Sequence, residues 1–145
     1  MSQNGSKLLT EELLNELNAN PGAFEARLRE NPMNSTMIPH KHLHSLIAQR
    51  SITLSQLIEQ SGLSKPFVYQ ILAGERKPGR DTLIRIALCI NLPLEETQRL
   101  LALWEHSRLY PRVRRDAAVL LCMKRGLSMN EVSEYLSSIG EKPLL

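Results

Sequence analysis

The chain has 145 residues, of which 42% are hydrophobic and 23% are charged, and its formal net charge is +3 at pH 7. This composition is typical of a globular protein with a core of its own. No apolar run reaches the roughly 18 to 20 residues that cross a bilayer, and the first residues lack the basic-then-apolar order of a secretion signal. We therefore expect a cytoplasmic protein without a membrane segment.

Positive charge is concentrated after the first quarter of the sequence. Residues 1–36 contain three Lys or Arg and five Asp or Glu, residues 37–105 contain eight and six, and residues 106–145 contain seven and four. These segments are also our predicted divisions of the chain: an N-terminal helical arm with the start of a linker, a central domain and a C-terminal extension. The distribution permits a polyanionic partner without requiring one.

The N-terminal arm predicts two short helices. In the first, Thr10 is the N-cap, and acids and a stripe of leucines follow it, namely Glu11, Glu12, Leu13, Leu14 and Leu17. A second start follows with a cap, a proline suited to the first turn and two apolar side chains, namely Asn20, Pro21, Phe24 and Leu28. Residues 31–39 contain two prolines and little periodicity, which predicts a linker.

Five helices and no strand are predicted between residues 37 and 105. The second begins with a capping box from Thr53 to Gln56 and ends at Gly62. The third is capped by Ser64 and ends at Gly74, a residue suited to left-handed backbone. The apolar positions in chain order are Leu43, Leu46 and Ile47; Leu57 and Ile58; Val68, Ile71 and Leu72; Leu83, Ile86, Ala87 and Ile90; and Leu94, Leu100, Leu101 and Trp104. Cys89 and Cys122 lie among apolar residues, which predicts reduced core thiols.

The C-terminal extension repeats part of this pattern. Six pairs of positions separated by 75 residues are chemically similar, namely Leu46 and Leu121, Arg50 and Arg125, Ile52 and Leu127, Thr53 and Ser128, Gln56 and Glu131, and Leu57 and Val132. A helix, a break and a capping box therefore recur in order. After Gly140 too few residues remain for a third helix, so we predict a helix pair that packs on the protein or pairs with a second copy.

Residues 54–74 have the spacing of two helices joined by a short glycine-containing turn. With Val68, Ile71 and Leu72 buried, the second helix is held at a steep angle to the first and its other face stays exposed. Such a face fits the major groove of duplex DNA.

This region resembles the xenobiotic-response-element or Cro/C1 helix-turn-helix family. The resemblance covers roughly residues 40–104 and rests on residues 53–74, followed by Arg76-Lys77-Pro78 and Asp81-Thr82-Leu83. Arg115-Asp116 and the ending Gly140-Glu141-Lys142-Pro143-Leu144 resemble the tails of some small bacterial members. The resemblance implies an all-α fold, with a five-helix lambda repressor-like helix-turn-helix domain, an N-terminal helical arm and a C-terminal helix pair. It also implies a sequence-specific DNA-binding transcriptional regulator.

By position, the resemblance implies a DNA-binding set: Ser55, Ser64, Lys65, Phe67, Tyr69, Gln70, Arg76, Lys77 and Arg80. The start of the third helix would meet base edges, where Gln70 suits adenine and Phe67 suits a thymine methyl. Ser55 and the first N–H groups of the second helix would bind a phosphate. The two arginines and Lys77 would contact the DNA backbone.

Three departures from the family pattern keep a second function open. Leu54 stands where phage-type members often carry a phosphate-binding glutamine, and Pro66 lacks an N–H at a position that often reads bases. Phe67 and Tyr69 make the exposed face more apolar than that of a typical reading helix. Such a face also suits protein docking, so the alternative is an interaction adaptor that reuses the fold.

Enzyme and metal chemistry are not expected. His40 and His44 lie one helical turn apart near His42, but two imidazoles without a third protein ligand make a poor metal site. Glu95 and Glu96 stand in a predicted first turn, where acids usually complement the helix dipole. No catalytic motif is present, and we expect no cofactor.

The expected partners are double-stranded DNA and a second copy of the chain. One reading helix covers about half of a site, so two-fold pairing supplies the rest. The arm and the extension after Tyr110 are both candidate pairing surfaces, and each is also a candidate surface for another protein partner. The sequence does not choose between them.

Overall fold

A computed structural model describes residues 14, 15, 17–22, 25 and 37–145. Within these residues all regular secondary structure is helical, which confirms the all-α prediction for them. From residue 37 onward the helices are α1 (Pro39–Ala48), α2 (Leu54–Ser61), α3 (Lys65–Leu72), α4 (Arg80–Cys89), α5 (Leu94–Leu103), α6 (Arg114–Lys124) and α7 (Met129–Ser138). None of the helices in the described part is long and apolar enough to cross a membrane.

The described residues of the N-terminal arm are helical on both sides of Asn20 and exposed. Leu14 is 50% exposed and Leu17 is 39% exposed, so neither packs into a core within the chain. Predictions for the remaining arm positions, and for the linker up to residue 36, lie outside the described residues. These positions are Thr10, Glu11, Glu12, Leu13, Phe24 and Leu28.

Both predicted capping boxes are present. The Thr53 N–H donates to Gln56 Oε1 at 2.8 Å, and the Gln56 N–H donates to Thr53 Oγ1 at 3.1 Å. The same exchange joins Ser128 and Glu131, at 2.8 and 3.2 Å. Each box satisfies two N–H groups near the start of a helix, which explains why α2 and α7 begin where they do.

The start of α1 differs from the prediction by a few residues. Pro39 falls in the predicted linker, yet it is the first residue of α1. Proline is well suited to this position because its fixed φ is helical and the N–H that it lacks would have no acceptor there. The helix therefore includes all three neighbouring histidines.

One hydrophobic core joins the central helices to the extension. Helix α1 packs on α3 and α5, α2 packs on α4, α4 packs on α5 and α7, and α6 packs on α7. The extension contributes seven residues to the buried cluster, namely Leu109, Ala118, Val119, Cys122, Val132, Leu136 and Leu144. The helix pair of the extension thus packs on the protein itself, through α4. Cys122 is buried and Cys89 is half-buried, and both are free thiols.

The C-terminal residues close against the turn between α2 and α3. Gly62 adopts a φ of +73°, and a Cβ on it would lie 2.9 Å from Leu145 Cδ2 and 2.9 Å from Arg85 Nη2. The Arg85 guanidinium donates to the Ser61 carbonyl oxygen at 3.0 and 2.6 Å. Side chains from α4 and from the end of the chain therefore support the turn that sets the angle between α2 and α3.

Candidate nucleic-acid interface

Helix α3 presents one face to the core and leaves the other uncovered. Val68 and Ile71 are buried, and the Ser64 Oγ accepts the Phe67 N–H at 3.3 Å, which caps the helix. On the opposite face Lys65 and Pro66 are exposed, together with Tyr69, which is 48% exposed. Gln70 is half-buried at the edge of this face. No other described segment of the chain covers this face of α3.

Two cation–aromatic contacts order the side chains on and beside this face. The Arg76 guanidinium lies 5.3 Å from the centre of the Phe67 ring, and its Nη1 donates to Gln70 Oε1 at 3.3 Å. Lys65 Nζ lies 5.8 Å from the centre of the Tyr69 ring. Phe67 is half-buried and packs against the core, so Tyr69 is the more exposed of the two aromatic side chains.

The start of α2 has the geometry of a phosphate-binding helix end. Ser55 is exposed, and it follows Leu54 at the first two positions of the helix, where N–H groups have no intrahelical acceptor. Leu54 is half-buried and packs against the core, so its side chain is used for packing. Arg76 and Lys77 are exposed in the loop between α3 and α4.

Arg80 departs from the expected role of a DNA backbone contact. Its guanidinium donates to both carboxylate oxygens of Asp116, at 2.9 and 2.8 Å. It also donates to the carbonyl oxygens of Ser107 at 2.8 Å and Arg108 at 3.0 Å. Because four of its five N–H donors are used within the chain, we leave Arg80 out of the DNA-binding set. The only signal for this pairing in the sequence is the Arg-Asp pair that occurs at 80–81 and again at 115–116.

Comparison with protein families identifies this helical unit. Residues 42–96 match the family model of the Cro/C1-type HTH DNA-binding domain. The chain carries a Cro/C1-type helix-turn-helix DNA-binding domain. The match begins within α1 and ends within α5, which confirms both the family resemblance and the lambda repressor-like fold of the five central helices. Comparisons with curated proteins and with solved structures gave no match.

The three histidines of α1 have separate environments in the Cro/C1-type domain. The His40 ring packs on Gly74, just after the end of α3. His42 is half-buried, and burial lowers its pKa from the ordinary value of 6.5. His44 is exposed. Among the residues that the structure describes, no group of three His, Cys, Asp or Glu side chains is placed to hold a metal ion.

Proposed function

We propose that this protein is a sequence-specific transcriptional regulator that reads duplex DNA with α3. The observation that supports this function best is the uncovered face of α3, where Lys65, Tyr69 and Gln70 stand beside the exposed cations Arg76 and Lys77. A protruding helix with cations at its border fits the major groove and the phosphates on either side of it. Such a regulator needs no catalytic group and would work in the cytoplasm expected from the sequence.

Gln70 is the proposed base-reading residue. A glutamine amide accepts a hydrogen bond from adenine N6 and donates one to N7. In the free protein Gln70 Oε1 already accepts from Arg76, but a carbonyl oxygen has two lone pairs, and the NH₂ group remains available. Arg76 therefore holds the amide in place before DNA binds. Tyr69 and Phe67 would supply apolar contact to the DNA. Phe67 would do so mainly from its half-buried position against the core.

The phosphate contacts are proposed to come from segments before and after α3 in the chain. Ser55 and the first N–H groups of α2 precede it, and Ser64 and Lys65 lie at the start of α3 itself. Arg76 and Lys77 are exposed in the loop that follows the helix. These contacts add affinity and orientation but carry little sequence information.

Base reading and phosphate binding are separated by two substitutions. Duplexes that bind are first selected from a random pool, and affinity is then measured by fluorescence anisotropy over a range of salt concentrations. Gln70→Ala should cost about 1–3 kcal/mol on the selected site and little on random DNA. Lys77→Ala should weaken binding to both and lower the salt slope by about one unit. The control is Gln60→Ala, which replaces an exposed glutamine that lines a surface pocket with Cys89. It should change neither the affinity for DNA nor the salt slope.

We propose that the regulator acts as a homodimer that pairs through the N-terminal arm. The apolar stripe of the extension is largely buried against its own chain, whereas Leu14 and Leu17 of the arm are exposed. The full chain with Leu14→Glu and Leu17→Glu should be monomeric in analytical ultracentrifugation. The matched control replaces Leu94 and Leu121, two other exposed leucines, by glutamate and should remain dimeric. A control that dissociates equally would place the interface elsewhere.

The alternative is an interaction adaptor, and the exposed Tyr69 is the observation in its favour. An aromatic side chain that is 48% exposed on a protruding helix is a suitable anchor for a protein groove. An adaptor should bind DNA weakly and without sequence preference, and Gln70→Ala should have no effect on that binding. Recovery of no enriched site from the random pool would therefore favour the adaptor over the regulator.

A further inference from the structure

The four hydrogen bonds of Arg80 hold the segment after α5 against the start of α4. Ser107 and Arg108 supply the two carbonyl acceptors, and Asp116 supplies the carboxylate. Since Arg80 directly follows the loop that carries Arg76 and Lys77, the segment is brought beside that loop. An arginine expected to contact DNA thus positions another part of the protein next to the DNA-binding face.

Two further observations place this segment beside the basic loop. His106 Nε2 donates to the Pro78 carbonyl oxygen, at 3.0 Å. Glu105, Arg76 and Lys77 line the same surface pocket of about 290 Å³. The segment from Glu105 to Arg108 is therefore a direct neighbour of the basic loop, although about 30 residues separate the two in the sequence.

The extension carries two arginines, Arg108 in this segment and Arg112 four residues after it, that have no acidic partner among the residues the structure describes. Arg112 is exposed in a turn that is closed by the Val113 N–H donating to the Tyr110 carbonyl oxygen, at 3.0 Å. Arg108 is half-buried, and its buried Nε has no hydrogen-bond acceptor in the described chain. A buried donor without an acceptor is unfavourable unless a water molecule or a ligand satisfies it.

We propose that Arg108 and Arg112 form a second phosphate-contacting element, which continues the basic loop of the Cro/C1-type domain along the DNA backbone. The inference rests on the proposed function, because the ligand is a phosphate diester of the same duplex. It assigns to the extension a DNA-binding role in addition to its packing on α4. The two arginines add affinity that is independent of sequence.

Counterion release gives this proposal a quantitative signature. Each phosphate that a cation neutralises on B-DNA contributes about 0.9 to the slope of log affinity against log salt concentration. Replacing Arg112 should lower the magnitude of that slope by about 0.9, and replacing both arginines should lower it by about 1.8. The loss should be the same on the selected site and on random duplex, because phosphates carry no sequence information.

The experiment compares the unmodified protein with Arg112→Gln, Arg108→Gln and the double variant by fluorescence anisotropy. The salt concentration is varied from about 50 to about 200 mM, a range over which the loss of phosphate contacts changes affinity strongly. The control replaces two cations at the opposite end of α6, Lys124 and Arg125, by glutamine, which removes the same net charge. This end lies about 16 Å along the helix from Arg114. The control should leave the slope unchanged.

The outcomes separate this inference from the proposed function. If the unmodified protein does not bind duplex DNA, both are wrong. If it binds and depends on Gln70 and Lys77, but Arg112→Gln changes the slope no more than the control does, only the second element is wrong. If Arg108→Gln lowers the melting temperature, the exposed Arg112 alone decides the result, since its side chain has no packing role in the described chain.

Discussion

Asp81 and Arg115 are joined by two hydrogen bonds of 2.9 Å, one from each terminal nitrogen of the guanidinium. Their sequence neighbours form the reciprocal pair, in which Arg80 donates to Asp116. Arg115 also donates to the Lys142 carbonyl oxygen at 2.8 Å. One side chain of α6 therefore holds both the start of α4 and the last residues of the chain, which close on the helix-turn-helix turn.

Loss of the Arg115 guanidinium should destabilise the protein. Arg115→Gln should lower the free energy of unfolding by about 1–3 kcal/mol, because it leaves the half-buried Asp81 carboxylate and the carbonyl oxygens of Lys142 and Pro143 without their donor. Urea unfolding measures this change. Arg114→Gln is the control: its side chain is 65% exposed and pairs with Glu141 at 3.1 Å, and such pairs contribute about 0–1 kcal/mol. Equal effects of the two substitutions would contradict a special role for Arg115.

Interactions between close neighbours in the sequence were predicted well. Both capping boxes join residues three positions apart, and the left-handed glycines at 62 and 74 end helices whose apolar periodicity stops there. In the capping boxes the side chain and the backbone group that it satisfies lie within one helical turn, and at the glycines the backbone conformation itself ends the helix. Residue type and spacing alone are then enough to place the end of a helix.

Contacts between distant segments were not predicted. The acceptors of Arg80 lie 27, 28 and 36 residues further along the chain, so no local pattern distinguishes this arginine from a surface cation. The docking of Leu145 against Gly62 also depends on how the extension packs. The residues proposed to contact DNA were assigned by resemblance and position, and the structure adds which of their side chains are exposed. Burial and pairing are properties of the assembled fold, which the sequence does not display.

A methyl group at Gly74 should disturb the contact between the end of α3 and α1. The φ of Gly74 is +79°, and a Cβ there would lie 2.7 Å from two atoms of the His40 ring. Gly140 has a similar φ of +81° with nothing within 4 Å, so Gly140→Ala isolates the backbone strain, about 1–2 kcal/mol. We expect Gly74→Ala to cost at least about 1 kcal/mol more than that in thermal unfolding. In a His40→Ala background the excess should disappear; its persistence would place the clash elsewhere.

The thiol of Cys89 should react slowly. Burial is the main cause that raises its pKa from 9.0 to about 11, and the charge of Arg85 opposes this only in part. Because the thiolate is the nucleophile, alkylation by iodoacetamide at pH 8 should be about 100-fold slower than in the unfolded chain. The rate, followed by mass spectrometry of the Cys89 peptide, should keep rising up to about pH 11. A plateau near pH 9 would contradict the raised pKa.

Protonation of His42 should make stability depend on pH. Burial lowers the pKa of His42 below 6.5; the charge of Glu96 opposes this effect and that of Arg99 adds to it. Above pH 6.5 the imidazole is neutral in both the folded and the unfolded chain and does not affect stability. As the pH falls through 6.5 the unfolded chain binds the proton first, so the free energy of unfolding decreases until the lowered pKa of the folded state is reached.

The His42→Gln variant tests this dependence. Urea unfolding at pH 7.5 and at pH 5.5 gives the loss of stability for each protein, and the loss should be smaller in His42→Gln than in the unmodified chain. The difference is bounded by about 1.4 kcal/mol per pH unit, the limit for one proton. His44→Gln, an exposed neighbour on α1, controls for removal of an imidazole from the same helix and should retain the full loss. If both variants lose as much stability as the unmodified protein, the burial of His42 does not carry the pH dependence.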